Sequence, residues 1–314
     1  MASTLHSQAA LPARLALTTA VVFPGQGSQR PAMALPWAEE PTFTRWADAD
    51  EILGRDITHL GITADATELR EPASCQVALF VHHAVVWDAW RRGGVRPALV
   101  AGHSLGEYSA LYAAGVLSFP DALRLVDARA RATQAAAEAS PGRMVACLGC
   151  DAEAVAQACA ASGAHVANDN APGQVVVAGS PAALDRLTEL LADGPGRVAP
   201  LEVGAAYHSP HMAPAVEPFG AALDRTTFAD SDVAVVANVD ARAHSTGRDW
   251  PQLLRAQLTS PVRWADTVRT LAAEGITAVV ELGASPVLTG LVKRIDRSLE
   301  RRFVEAPSDL EGTR

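Results

Sequence analysis

Ala98-Leu99-Val100-Ala101-Gly102-His103-Ser104-Leu105-Gly106-Glu107 is the stretch that decides the fold. An apolar run of strand character ends at Ala101, glycines stand on both sides of the serine, and a helix-compatible run starts near Glu107. A strand that turns sharply through a serine into a helix is a nucleophile elbow. The glycines permit the turn, and the N–H groups at the start of the helix stabilise developing negative charge. The bland alternative is a glycine-rich turn that happens to hold a serine.

Working outward, further short apolar runs bounded by Gly, Pro, Asn or Ser read as buried strands: Val21–Phe23, Val175–Val177, Val233–Val236 and Ala278–Glu281. Between them, Gln76–Arg92 has the length and spacing of a helix ended by Gly93-Gly94, and Pro120–Ala139 reads as a helix closed by Pro141-Gly142. Strands alternating with helices predict an α/β fold with a largely parallel sheet. From Gly142 to Val203 the rhythm changes. Met144–Leu148, Asp151–Ser162, His165–Asn168, Gln174–Ala178, Pro181–Leu191 and Arg197–Leu201 spell strand, helix, strand, strand, helix, strand. That is the ferredoxin-like order, expected here as an inserted subdomain. The expected organisation is a flexible extension over residues 1–19, a discontinuous catalytic domain over 20–140 and 204–305, the insert over 141–203, and a tail over 306–314.

Bulk properties bound the function. The chain has 314 residues, 49% hydrophobic and 19% charged, which suits a soluble globular enzyme and excludes a disordered chain. Aromatics are only 5%, so the core is expected to rest on Ala, Val and Leu. A net charge of −9 argues against nucleic acid or an anionic membrane as partner. No run approaches the roughly 18 apolar residues of a membrane span. Residues 1–19 lack the apolar run of a secretory signal. The spacing Cys147-Leu-Gly-Cys150 invites a metal or redox reading, but no second ligand pair follows. Small buried thiols in a reducing cytoplasm are the expectation, with no metal.

A serine at its free pKa is a poor nucleophile and needs a base within hydrogen-bond reach. Of nine histidines, His208 and His211, in Tyr207-His208-Ser209-Pro210-His211-Met212, lie late in the chain, after the last strand of the insert. His6, His59, His82, His83, His165 and His244 read as ordinary core or surface residues. Residue logic leaves His208 and His211 tied.

Phe23-Pro24-Gly25-Gln26-Gly27-Ser28-Gln29, Gly102-His103-Ser104-Leu105-Gly106-Glu107-Tyr108-Ser109-Ala110, Gln257-Leu258-Thr259-Ser260-Pro261-Val262-Arg263-Trp264 and Gly290-Leu291-Val292-Lys293-Arg294-Ile295 occur in this order. Together they resemble the malonyl-CoA:acyl-carrier-protein transacylase family from about Val21 to Ile295. The resemblance implies an α/β-hydrolase-like large domain carrying the insert. It makes Ser104 the nucleophile and His208 its base. It implies that the imidazole is oriented by a backbone carbonyl at Gln257 in place of an acidic third member. The N–H groups of Gln26 and Leu105 are then the oxyanion hole, and His103 belongs to the substrate site. Arg129 matches the family arginine that grips the free carboxylate of a malonyl group, as a guanidinium fork does. On residues alone, Arg129 could equally lie on a solvated helix face. In the family, Gln at the position of Leu105 and Ser at that of Tyr207 go with methylmalonyl, whereas Phe at the latter goes with malonyl. Tyr207 keeps the bulk that excludes an α-methyl branch but adds a hydroxyl.

The implied reaction is ping-pong transfer of malonyl from malonyl-CoA to the phosphopantetheine thiol of an acyl carrier protein, with no cofactor, in fatty-acid or polyketide synthesis. Carriers are acidic, so Lys293, Arg294, Arg297, Arg301, Arg302 and Arg143 are candidates for a docking patch, with an ordinary charged C-terminal helix as the competing reading. The rivals on the same fold are a carrier-directed editing hydrolase and a transacylase for another acyl group, neither of which needs Arg129. A cytoplasmic monomer is expected.

Overall fold

The computed structural model describes residues 18–313; the expected extension lies almost wholly outside them. In chain order the strands are β1 (Thr19–Phe23), β2 (Leu99–Gly102), β3 (Arg143–Leu148), β4 (His165–Ala171), β5 (Gln174–Gly179), β6 (Arg197–Pro200), β7 (Ala234–Val236), β8 (Ala243–His244), β9 (Ala278–Leu282) and β10 (Glu300–Val304). The helices are α1 (Thr44–Leu53), α2 (Thr58–Ile62), α3 (Pro72–Arg91), α4 (Gly106–Ala114), α5 (Phe119–Ala139), α6 (Ala152–Ser162), α7 (Pro181–Leu190), α8 (Ala213–Leu223), α9 (Trp250–Gln257), α10 (Trp264–Ala273) and α11 (Leu288–Ile295).

The larger sheet runs β10-β9-β1-β2-β7-β8. It is parallel from β10 to β7, and β8 closes it antiparallel, so the sheet is mixed. Strands β1, β2 and β9 are buried along their whole length, which is why they read as unbroken apolar runs. The exception within β9, Glu281, is fully buried and accepts the N–H groups of Val287, Leu288 and Thr289, so it caps the start of α11. Pro72 opens α3, and this helix is buried from Cys75 to Trp90. Ser118 Oγ accepts the Asp121 N–H at 3.2 Å to start α5.

Strands β3 to β6 form a separate antiparallel sheet in the order β4-β5-β3-β6, with α6 and α7 following β3 and β5 in the chain. Its core holds Val145, Val155, Val177, Leu184 and Leu187 together with Cys147, Cys150 and Cys159. Burial, and then the two neighbouring thiols, push Cys147 up to about 12, so it is a thiol at neutral pH. Val262 stitches this sheet to the segment before α10: its N–H donates to Ala167 O and its O accepts from Asp169 N, each at 2.9 Å.

Some expectations are revised. Strand β1 begins at Thr19, inside the expected extension. Residues 297–302 do not continue a charged helix: α11 stops at Ile295 and Arg301 and Arg302 lie on β10, an edge strand whose charges hid its sheet character. The stretch expected as a tail contains a 3-10 turn, Pro307–Leu310, with Leu310 buried. Aromatics are few, yet all six tryptophans are buried, so the core is less purely aliphatic than composition suggested.

Candidate active site

Parallel pairing of β1 with β2 sets Phe23 beside Gly102, so the loops leaving both strands start side by side. The turn after β2 is too tight for any side chain at its ends. A Cβ on Gly102 would sit 1.9 Å from the carbonyl carbon of Gly106, and one on Gly106 would sit 2.0 Å from Phe23 O. Between them Ser104 has φ of +53°, left-handed backbone that a non-glycine residue adopts only at a cost of about 1–2 kcal/mol. Helix α4 begins two residues later.

Ser104 Oγ lies 2.7 Å from His208 Nε2. His208 Nδ1 lies 2.8 Å from Gln257 O, at the end of α9. A carbonyl only accepts, so Nδ1 carries the proton and Nε2 is left as the acceptor that a general base requires. Burial, reinforced by the Arg129 charge, lowers His208 to about 3, against the pull of the Gln257 carbonyl. The imidazole is therefore neutral at pH 7. His211, the other candidate, turns to Ser140 Oγ at 2.9 Å and does not join the pair.

Arg129, on α5, is 1% exposed. One of its terminal nitrogens donates to Ser104 Oγ at 3.0 Å and to Gln257 Oε1 at 3.3 Å, and the other donates to Gln76 Oε1 at 2.5 Å. The guanidinium packs over the Tyr108 ring, 5.5 Å from its centre. Its Nε has no hydrogen-bond partner, and it forms no ion pair among the described residues. A buried cation without an anion in contact is expensive unless a ligand supplies one.

The remaining candidates fall into place unevenly. The N–H groups of Gln26 and Leu105 donate to no acceptor among the described residues. Tyr207 is 8% exposed; burial raises its hydroxyl to about 12, against the opposing effect of the Gln26 side chain. His103 turns aside, with Nε2 donating to Asn170 Oδ1 on β4 at 2.8 Å. Gln257, a candidate for the substrate site besides its backbone role, has its side chain spent inside the protein: its Nε2 donates to Ser104 O at 3.0 Å and to Glu107 Oε2, while Oε1 accepts from Arg129. Arg143, Lys293, Arg294 and Arg297 are exposed, and Arg294 donates to Gln174 Oε1 at the start of β5.

Four participants escaped sequence reasoning: Gln76, Glu107, Asn170 and Asn238. Gln76 and Glu107 lay within quoted stretches, but nothing local marked them as polar groups that the fold would bury. Asn238, just after β7, is 134 residues from the serine whose N–H it accepts at 2.7 Å. Among the described residues no group of three His, Cys, Asp or Glu side chains is placed to hold a metal, and no helix is long and apolar enough to cross a membrane. A cavity of about 530 Å³ lined by Trp87, Arg91, Arg96, Tyr112, Asp230 and Asp232 lies at the opposite end of β2 from Ser104 and includes none of these residues.

The site is a serine and a neutral imidazole in hydrogen-bond contact, beside a buried guanidinium that lacks an anion, which is suited to acyl transfer on an anionic substrate. Comparisons with known proteins agree. The chain is 39% identical over 300 residues to the malonyl CoA-acyl carrier protein transacylase of Bacillus subtilis, covering 93% of this chain and 95% of that one. It is 40% identical to the Escherichia coli K12 protein of the same name, covering 92% and 96%. Its structure superposes with a TM-score of 0.90 on a malonyl-CoA:acyl carrier protein transacylase from Xanthomonas oryzae pv. oryzae, at 41% identity and with 95% and 97% covered. It superposes at 0.89 and 36% identity on a malonyl-transacylase solved in complex with its type II polyketide acyl-carrier protein, with 93% and 97% covered. Residues 20–306 match the family described as the acyl transferase domain, and the chain belongs to that family.

Proposed function

We propose that this protein transfers a malonyl group from malonyl-CoA to the phosphopantetheine thiol of an acyl carrier protein, in fatty-acid or polyketide synthesis. The observation that carries the reading is Arg129: a buried, anion-free guanidinium in hydrogen-bond contact with the hydroxyl of Ser104. The names of the relatives point the same way.

Ser104 Oγ attacks the thioester carbonyl while His208 Nε2 takes its proton. The N–H groups of Gln26 and Leu105 receive the oxyanion; donors of this kind contribute about 3 kcal/mol each. The C–S bond breaks and CoA leaves as a thiol with the proton from His208. Malonyl is held as a Ser104 ester with its free carboxylate on Arg129. The carrier thiol then gives its proton to His208 and attacks the ester, and Ser104 recovers its proton as the product thioester departs. Every proton is accounted for by these groups, so the reaction needs no cofactor. The Tyr207 ring excludes an α-methyl branch.

The strand order of the smaller sheet supports reading residues 141–203 as a ferredoxin-like insert in an α/β-hydrolase-like domain over 20–140 and 204–305. Lys293, Arg294, Arg297 and Arg143 form the proposed carrier-docking patch. The protein acts as a cytoplasmic monomer. An editing hydrolase, or a transacylase for an acyl group without a carboxylate, would leave Arg129 buried with no anion to bind. Intact-mass measurement after brief exposure to malonyl-, methylmalonyl- and acetyl-CoA tests the reading: a malonyl adduct absent from Ser104→Ala is expected. Preferential labelling by acetyl-CoA would overturn it.

A further inference from the structure

Ser104, His208 and Arg129 come from three different elements, and the hydrogen bonds that His208 and Arg129 make to Ser104 Oγ do not explain what holds the turn in its left-handed conformation. Three other buried side chains do. Asn238 Oδ1 accepts the Ser104 N–H at 2.7 Å, and its Nδ2 donates to Gly102 O at 2.6 Å. Gln257 Nε2 donates to Ser104 O at 3.0 Å. Glu107 binds both of these residues: Oε1 accepts the Asn238 N–H at 2.7 Å, and Oε2 accepts from Gln257 Nε2. All three are at most 1% exposed.

We infer that Glu107 and Asn238 are positioning residues for acyl transfer, forming with Gln257 a polar clamp that fixes both peptide groups of the nucleophile. Its direction is set by donors and acceptors. Arg129 donates to Gln257 Oε1, so the Gln257 amide must present N–H to Glu107. Both Glu107 oxygens then have to accept, which the carboxylate does and a carboxamide cannot do. A carboxamide at position 107 would set N–H against N–H, and rotating Gln257 to relieve this would turn its amide N–H toward the guanidinium of Arg129. Gln257 also supplies the carbonyl that orients His208, so Glu107 acts on the nucleophile, the base and the arginine through one neighbour. Burial pushes the Glu107 carboxyl up, toward the neutral form; against it stand the Asn238 and Gln257 hydrogen bonds and the Arg129 charge, and the geometry, with one N–H donor on each oxygen, is that of the carboxylate. The inference rests on the proposed acylation of Ser104.

The test compares wild type with Glu107→Gln by intact mass, following both the rate at which malonyl-CoA labels Ser104 and the fraction labelled at completion. A misplaced nucleophile slows the step in every molecule, and displacements of about an ångström cost about a hundredfold. The expected result is a malonylation rate lowered about a hundredfold with complete final labelling. Phenylmethanesulfonyl fluoride, which carries no carboxylate, should show a similar slowing. A merely structural role would instead leave competent molecules reacting at the wild-type rate and lower the final fraction, and that outcome overturns the inference. An unchanged rate overturns it as well. If Glu107→Gln does not fold, Asn238→Ala is put through the same two measurements with the same criteria. Wild-type protein that forms no malonyl adduct at all would sink the proposed function, a result separable from any difference between variants.

Discussion

Ser104 and His208 face each other across 2.7 Å with left-handed backbone on both sides, φ +53° and +55°, although neither is glycine. The reacting pair is thus held together by two locally unfavourable conformations that the surrounding packing enforces.

One expectation concerns that strain. Ser104→Ala and Ser104→Gly both remove the hydroxyl, so both should lose acyl transfer. Only glycine tolerates the left-handed position without a Cβ penalty, so Ser104→Gly should be the more stable of the two by about 1 kcal/mol in urea denaturation. Equal stability would mean the turn stores no strain at this residue.

Arg129→Ala should lower malonylation by a hundredfold or more, since removing one partner of a buried charge-assisted contact costs about 2–5 kcal/mol. Labelling by acetyl-CoA should fall far less. Arg129→Lys should recover little, because a point charge replaces the fork. The ratio of malonyl to acetyl adducts by mass is the readout.

At Tyr207 two substitutions separate ring from hydroxyl. Tyr207→Phe keeps the bulk and removes only the buried hydroxyl, so malonyl preference should be retained with little change in stability. Tyr207→Ser opens the pocket, and methylmalonyl-CoA should become a substrate. Competition between the two CoA esters measures both effects.

The depressed value of His208 carries a sign for stability. Unfolded, the imidazole takes up a proton below its ordinary 6.5, whereas in the folded protein it does so only near 3. Between these values the unfolded chain binds more protons, so this group's contribution to stability is present above 6.5 and is lost as pH falls toward 3. Wild type should therefore lose stability faster than His208→Gln on acidification, as followed by thermal melts. The malonylation rate should likewise show no break near pH 6.5 attributable to this imidazole.

Charge reversal at Arg294 should raise KM for the carrier protein and leave KM for malonyl-CoA unchanged, with the difference shrinking as salt is added. Identical carrier kinetics would remove Arg294 from the docking patch. Its hydrogen bond to Gln174 makes Gln174→Ala the needed control.

What was legible in the sequence was local. The elbow around Ser104 is written in consecutive residues because the close approach of Gly102, Gly106 and Phe23 demands glycine. The strands and helices of the smaller sheet were readable because each has its own period and punctuation. Strand β10 was not, since an edge strand has a solvent side and its arginines masked the pairing with β9. The bonds that Gln76 makes to Thr133 and Arg129, and those joining Glu107 to Asn238 and Gln257, were beyond reach for another reason: a buried polar side chain looks like any surface one until the partner that satisfies it is known. His208 was separable from His211 only by family resemblance, and the contact of the latter with Ser140 now gives the physical distinction.

The two margins of the larger sheet also bear on behaviour at high concentration. One margin is the two-residue β8, and the other, β10, carries Glu300, Arg301 and Arg302 in succession. A second molecule seeking to extend the ladder would find too few free backbone groups on the first side and would bring like charges together on the second. Fibre-like growth by strand addition is thereby discouraged, even though the interior strands are among the most apolar segments of the chain.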